Sequence, residues 1–523
     1  MKGVLANHAR LKQIAKAIFV AFVILQPVFD IYMCLFDEKI QLMGVSLATI
    51  ARFLMAFVIT AAVVLATPGS RLTKGFLIYM GLVAVYAVCH HFNAIGFTVP
   101  LANASYDAVS ELFYLARMIV PVALIYAVIH LKPGYKDLRL MVVSVSAIIA
   151  SVILISNLFC FGHIAYSLDK LPLKNNMLTW FTGAEAPWWA FTCRGLFQWT
   201  NQLSGAMLIN LPFLTYVALK EKKASLWVLV VLYVISMLNL GTRIASFGGI
   251  AIVAGMVILH VVENIIHKKD YKTELKNACC IAVAFVIMLP VFSFSPIMGR
   301  AESTPLFDDI ISNPGTSQGP GPQAPGTTEK DPAGDVDLSK LSQEQKLQVL
   351  RKSVSSAGIH DSFLQAYPLQ DDTDFWIDLI FHTPEHERAG NRKIRTHVIE
   401  RVLERDGRFS NARLGISYAR SSSLIWPERD IETQMDALGL LGFGLFVGPY
   451  FAVLIFGVWR FFKGLKAHLR IAYGVYLLSA GLGVAVSYLS GHIMNEFFPF
   501  VYLALMMGMA VNTALEKGVE TEE

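Results

Sequence analysis

Apolar stretches long enough to cross a bilayer recur along the whole chain, and no other feature limits its fold as strongly. Twelve stand near 17–36, 43–66, 75–95, 110–131, 140–161, 202–219, 225–241, 244–266, 277–295, 433–459, 471–489 and 497–515. A helix rises about 1.5 Å per residue, so about twenty such residues reach across a hydrocarbon core of about 30 Å. In lipid every backbone N–H and C=O must be satisfied internally, which makes helices the form these runs take. Composition agrees. Of 523 residues 55% are hydrophobic and only 16% charged, and the mean hydropathy is +0.52, outside the soluble globular range. The chain therefore reads as an all-α polytopic membrane protein with about twelve transmembrane helices and one large extracytoplasmic loop domain. Spans one to nine fall in 1–295, the loop domain in 296–431 and spans ten to twelve in 432–523. The basic opening "MKGVLANHARLKQIAK" leads into an apolar run with no small-residue cleavage site, so it reads as a retained first span.

Charge in the loops sets an orientation. Alternate connections carry Lys2/Arg10/Lys12/Lys16, Arg71/Lys74, Lys132/Lys136/Arg139, Lys220/Lys222/Lys223, Lys268/Lys269/Lys272/Lys276 and Arg460/Lys463/Lys466/Arg470. The intervening ones hold few basic residues, notably Lys39, Lys170, Lys174, Arg194 and Arg243. Lys and Arg concentrate on the cytoplasmic side, so both termini are placed in the cytoplasm of a multi-pass protein of the cell (cytoplasmic) membrane. The net charge of +5 is mostly this topology signal and calls for no nucleic acid. The cysteines, Cys34, Cys89, Cys160, Cys193, Cys279 and Cys280, lie in or beside spans without regular spacing. They form neither a disulfide framework nor a metal motif and read as small buried hydrophobes.

The unusual residues then gather on the outer side. The connection 162–201 is aromatic, "WFTGAEAPWWAFTCRGLFQWTNQ". The connection 296–431 begins with a linker, 313–334, holding five Pro and five Gly in 22 residues, a composition expected to stay disordered. Two amphipathic helices are expected after it. One has Leu338, Leu341, Leu347 and Leu350 on its apolar side; the other starts at an Asn391 cap, with Ile394, Val398 and Val402 on one face. The charges of the second helix, Arg392, Arg395, Arg401, Arg405 and Arg408 with Glu400, Glu404 and Asp406, are equally well read as a solvated mixed face. Next come Glu428, Asp430, Glu432 and Asp436, of which Glu432 and Asp436 are four apart and share a helix face. Behind them Gly439, Gly442, Gly444 and Gly448 let helix backbones approach closely. Between the last two spans, "YLSGHIMNEFF" places His492, Asn495 and Glu496 at the same surface.

A charge near hydrocarbon costs about 2.5–3.5 kcal/mol even on the lenient insertion scale, so each one requires a reason. Arg243, in "LNLGTRIASFGGIAI", sits between two apolar runs at the outer interface. Asp30 and Arg52 fall at matching depth in spans one and two and are read as a buried structural ion pair, with direct substrate contact as the alternative. Arg117 has no sequence-local partner; snorkelling to the interface competes with a functional role.

Arginine's planar fork suits bidentate contact with phosphate oxygens and stays charged at any physiological pH. A lipid diphosphate carries its anionic head at the interface and its tail in hydrocarbon, and converging interfacial arginines are what it would need. His492 or one of the carboxylates Glu432 and Asp436 is placed to take a proton from an acceptor hydroxyl. No GxSxG, HExxH, Walker A, GxGxxG or DxD motif is convincing, so hydrolase, ATPase and metal-dependent readings lose weight.

From Arg194 to the C-terminus the chain resembles the O-antigen ligase and O-antigen polymerase superfamily, membrane glycosyltransferases of the GT-C type. "CRGLFQWTNQLSGAMLINLP" resembles its Arg-Gly-x-Phe-x-x-x-Asn segment, matching Arg194, Gly195 and Asn201. "LGTRIASFGG" resembles its Gly-Thr-Arg-Ser segment, matching Arg243, with Ile244 departing from the usual small residue. "AGNRKIRTHVIERVLER" followed by "RLGISYA" resembles its loop segment, where Ser417 replaces the second glycine of a Gly-x-Gly. "IETQMDALGLLGFGL" resembles the segment that enters the next span. The resemblance implies a glycosyltransferase that moves a glycan from an undecaprenyl diphosphate carrier, with no metal or other cofactor, to a glycan or lipid-anchored acceptor. It implies substrate-binding roles for Arg194, Arg243, Asn201 and a loop arginine, Arg392 or Arg395, and a catalytic role for His492. A repeat-unit polymerase of the same superfamily is one alternative, and a lipid-linked glycan flippase without catalysis another.

Overall fold

The computed structural model describes residues 2–36, 41–42, 45–99, 101–102, 105–167, 170–182, 186–266, 271–303, 341–354, 357–388, 391–424, 429–464 and 471–516. The linker 313–334, Leu338, Glu428, Lys39, Lys268, Lys269, Lys466 and Arg470 lie outside them, and so does the side chain of Arg392.

Among the described residues the fold is helical, relieved only by a two-residue hairpin pairing Gln41–Leu42 with Val45–Ser46. Eleven helices, against the twelve expected, are long and apolar enough to cross a membrane: Asn7–Phe36, Leu47–Ala66, Arg71–Ile95, Ala108–Leu131, Tyr135–Leu158, Thr200–Glu221, Arg243–Ile265, Lys276–Arg300, Asp430–Lys463, Ile471–Leu489 and Phe497–Leu515. The missing one is the seventh run, which forms the shorter helix Ala224–Asn239. Its 16 residues reach about 24 Å at about 1.5 Å each, short of the hydrocarbon thickness of about 30 Å. The run stops early because Gly241 takes a left-handed φ of +62° and turns the chain before Arg243.

The chain divides into two compact units. The first joins Met1–Met80, Arg117–Thr304 and Gly448–Glu523; the second joins Gly81–Ala116 to Pro305–Val447.

In the first unit the centre is the Thr200–Glu221 helix, packed by Arg243–Ile266, Ile471–Leu489 and Phe497–Leu515. Its apolar stretch is wholly buried, whereas that of Lys276–Arg300 is mostly exposed. A helix that meets no lipid can carry polar groups, and this one holds Gln202, Ser204, Asn210 and Thr215 inside the bundle. Close approach depends on small residues, as expected of helix interfaces in membranes. A Cβ on Gly205 would lie 2.0 Å from Ile493 Cδ1, and one on Gly508 2.5 Å from Val128 Cβ.

The second unit has its own hydrophobic core. Phe97, Val99 and Leu101 pack with Leu350, Phe363, Trp376, Ile394, Val398 and Val402, all buried, and each buried aliphatic or phenyl side chain is worth about 1.5–3 kcal/mol. The face Ile394/Val398/Val402 is therefore buried as its spacing predicted, on a helix Asn391–Asp406. Here the chain crosses itself main chain to main chain. Ile416 N–H donates to Asp436 O (3.0 Å) and Ser417 N–H to Ala437 O (3.1 Å), with Gly415 at φ +79°, ψ 172° and Gly439 at φ +64°, ψ −178°. Tyr86 donates to Leu438 O (2.6 Å), and His90 lies between Glu111 Oε1 (2.9 Å) and Leu414 O (2.6 Å).

Ser417 shares that geometry, at φ +87°, ψ 154°, a region that is essentially glycine's and costs about 1–3 kcal/mol otherwise. Its hydroxyl is buried without a hydrogen-bond partner. Ser417→Gly should therefore raise the thermal midpoint in detergent, since the relieved strain exceeds the roughly 0.5–1 kcal/mol of backbone entropy that glycine adds. A lowered midpoint would show that the serine is not strained.

Candidate functional site

Arg194 is fixed in place by the main chain on both sides. Cys193 N–H donates to Asn239 O (2.7 Å), Arg194 N–H to His163 O (3.0 Å), and His163 N–H to Gly195 O (2.9 Å). Gly195 has φ +66°, and a Cβ there would lie 3.2 Å from Ile153 Cα. The Arg194 residue is only 2% exposed. Its Nε and Nη2 are buried and make no hydrogen bond in the protein. Burial holds its pKa below the usual arginine value, against Cys34, Asp30 and Cys193, which favour its charge.

The groups around it belong to several helices. Asp30, 2% exposed, accepts from Gln198 N–H (2.9 Å) and lies within electrostatic reach of Arg52, Arg194 and Glu496. Arg52 donates to Gln26 O (3.2 Å) and Met33 Sδ (2.9 Å) and sits beside the rings of Phe29 and Phe497. The hydrogen bonds shown for Asp30 and Arg52 are thus with other groups, though each feels the other's charge. Arg117 finds a partner 379 residues away, Glu496, at 3.4 Å. Lys170 Nζ donates to Cys34 O (2.9 Å). His163, half-buried with its Nδ1 unpartnered, is held below the usual histidine value by burial and by Arg194.

Arg243 opens the Arg243–Ile266 helix. A Cβ on Gly241 would come 2.5 Å from Thr192 Cγ2, so the turn before Arg243 is pressed against the segment before Arg194. Thr242 Oγ1 accepts from Ala245 N–H (3.2 Å) and pairs with Ser204 Oγ (3.1 Å), capping the helix and tying it to Thr200–Glu221. Tyr166 donates to Gly241 O (3.1 Å) and accepts from Arg300 Nη1 (2.5 Å). Arg300 is buried and lies over the rings of Trp188 (5.1 Å) and Tyr166 (5.3 Å). Burial pushes the Tyr166 phenol up, while Arg300 and Arg243 draw it back. Sequence reasoning missed Arg300, although it follows an apolar run as Arg243 follows one.

Asn201, the second residue of Thr200–Glu221, is half-buried, and its neighbour Thr200 is tied to Ala165 O (2.6 Å). His492 is half-buried and left-handed at φ +60°, directly after Gly491 at +71°. A non-glycine residue there is uncommon and strained. Ile493 beside it is buried against Gly205 of the central helix. Arg194, Arg243, Arg300, Arg52, Arg117, Lys170, Asn201 and His492 thus stand on one end of the first unit, with Asp30 and Glu496 as the carboxylates among the described residues there.

The second unit holds the other candidates and pairs them internally. Arg395 donates to Asp436 Oδ2 (2.8 Å) and Ser421 Oγ (2.8 Å) and is almost wholly buried. A buried pair broken on one side costs about 3–5 kcal/mol, so Arg395 and Asp436 hold the unit together whatever else they do. Glu432 is paired with Arg429. Arg392 lies on the Asn391–Asp406 helix, its side chain outside what the structure describes.

Chemically, arginines gathered in this way suit the oxygens of an anionic group. A family model described as O-antigen ligase like membrane protein matches residues 12–516. No curated protein matches the chain.

Proposed function

Because the chain belongs to the family of O-antigen ligase like membrane proteins, we propose that it is a glycosyltransferase of the ligase type. It moves a glycan from an undecaprenyl diphosphate carrier to an acceptor on the outer face of the cytoplasmic membrane. Membership makes it a membrane protein of glycan processing and implies a lipid-linked glycan substrate. The finer reading is carried by one observation: the guanidinium of Arg194 is buried and lacks partners for Nε and Nη2. A charge in that condition is costly, and an oxyanion with several lone pairs would satisfy it.

In the reaction the acceptor hydroxyl attacks the anomeric carbon, the bond from that carbon to the phosphate oxygen breaks, and the diphosphate leaves with the electron pair. Arg194 stabilises the charge that develops on the leaving group, the kind of term that dominates such steps, with Arg243 and Arg300, both within reach of Tyr166, as the further cations of this end. Asn201 and the aromatic 162–201 segment position the substrate. No step needs a nucleotide.

The test is transfer by purified protein in vesicles, from a labelled lipid-diphosphate glycan to offered acceptors. Arg243→Ala should reduce transfer about a hundredfold, and Arg243→Lys should recover little of it, because a point charge lacks the bidentate fork. Unimpaired transfer by Arg243→Ala sinks the assignment. Movement of the labelled lipid across the vesicle without transfer establishes the flippase reading instead. Growth of the glycan on a second carrier-linked repeat establishes the polymerase reading.

A further inference from the structure

We propose that Glu496 is the general base of the transfer, taking the proton of the acceptor hydroxyl; the inference rests on the glycosyl-transfer reading. Among the described residues two carboxylates stand in the arginine-rich end of the first unit, and their surroundings separate them. Asp30 is 2% exposed and already accepts from Gln198 N–H at 2.9 Å. Its carboxylate is therefore already engaged by a main-chain donor. Glu496 has a side chain 24% exposed, and its one ion pair, to Arg117, is long at 3.4 Å. A carboxylate that is partly open and loosely held can exchange a contact with a cation for one with an incoming hydroxyl.

Its neighbours suit the same role. Asn495, 3% exposed, has a side-chain oxygen buried with no partner in the protein, and it immediately precedes Glu496. Of the two side chains, Glu496 is the one open to a sugar hydroxyl. Among the described residues, Arg117 from the Ala108–Leu131 helix and Arg52 from Leu47–Ala66 act on Glu496, and it acts on Asp30 of the first helix. Arg194 reaches the same Asp30. His492 stands on its own connection, four residues earlier. Burial pushes the Glu496 carboxyl up, with Arg117 and Arg52 opposing. A raised carboxylate is the better base.

The step balances. The hydroxyl oxygen forms its bond to the anomeric carbon, its proton passes to Glu496, and the bond to the diphosphate breaks with the electron pair leaving on phosphate oxygen. Glu496 then releases the proton to water.

The experiment measures kcat and the KM for acceptor across pH, using full-length protein in vesicles. The base works when deprotonated, so the wild-type kcat should fall as pH drops through an acid limb placed above the ordinary glutamate range. Glu496→Gln, which is isosteric, should lower kcat about a hundredfold, leave the acceptor KM nearly unchanged and abolish the acid limb. Glu496→Asp, which keeps the charge but withdraws it, should lower kcat less and retain a limb; it decides the matter if the Gln variant does not fold. A Gln variant within threefold of wild type, or one that keeps the acid limb, overturns the proposal, and a limb that vanishes in His492→Ala instead assigns the proton to His492. Where Arg194→Ala loses transfer and Glu496→Gln does not, only Glu496 is wrong; where wild type transfers nothing to any acceptor, the transfer reading falls and takes this one with it.

Discussion

Alanine in place of Arg194 is expected to cut glycan transfer about a hundred- to a thousandfold while leaving the folded protein as stable as before, or more so. Both halves follow from one geometry. The guanidinium is buried, two of its nitrogens have no partner in the protein, and burial holds its pKa down. A buried charge that Asp30, Cys34 and Cys193 compensate only in part costs free energy in the resting protein. A side chain kept for packing would lose stability when truncated, by about 2–5 kcal/mol for a large buried group. Removing a charge that is waiting for an anion relieves a cost instead, the stability-for-function exchange seen at binding sites. Arg194→Met, which keeps much of the volume, should show the gain more clearly than alanine. Thermal midpoints and transfer rates measured on the same preparations decide it. Loss of both together would make Arg194 a structural residue.

The largest effect on folding is expected from Gly439→Ala. A Cβ there would stand 2.4 Å from Gly415 N and 2.5 Å from Arg413 C and Leu414 N, all main-chain atoms that no rotamer change can move. Its φ of +64° with ψ −178° adds strain of about 1–3 kcal/mol for any residue with a side chain. The total should exceed about 4 kcal/mol, the exceptional end of single substitutions, and in a domain of ordinary stability that leaves little folded protein. Gly444 supplies the contrast, because nothing lies within 4 Å of its added Cβ. Alanine there should be neutral or stabilising by up to about 1 kcal/mol. Size-exclusion profiles and unfolding midpoints in detergent separate the two. Well-folded Gly439→Ala would mean that the crossing with Gly415 does not form.

That pair also marks where sequence reasoning stops. The glycine run 439–448 promised close helix approach, but at Gly439 the contact is with an irregular strand of chain at Gly415, and the helix is kinked there. The spans themselves were legible because length and apolarity alone decide them, and only Ala224–Asn239 fell short, ended by the turn at Gly241. The buried stripe Ile394, Val398 and Val402 was legible from its spacing. Pairings were not. Arg117 with Glu496 is separated by 379 residues and Arg395 with Asp436 by 41, distances over which no periodicity carries information. Arg243 was singled out by the apolar runs on either side of it, and Arg194 by its outer connection and the family resemblance; that Cys193 N–H would bind Asn239 O and set their segments side by side follows from tertiary packing. Tyr166 gave no signal of its own, and its link from Arg300 to Gly241 became visible only in three dimensions.

The account turns on whether the arginine cluster of the first unit holds a lipid diphosphate. The direct measurement is equilibrium binding of undecaprenyl diphosphate and undecaprenyl monophosphate to detergent-purified protein, wild type and Arg194→Ala. The diphosphate should bind wild type at least about tenfold more tightly than the monophosphate, the equivalent of about 1.4 kcal/mol, and Arg194→Ala should lose that preference. Equal affinity for the two lipids, or a preference that survives the substitution, would contradict it.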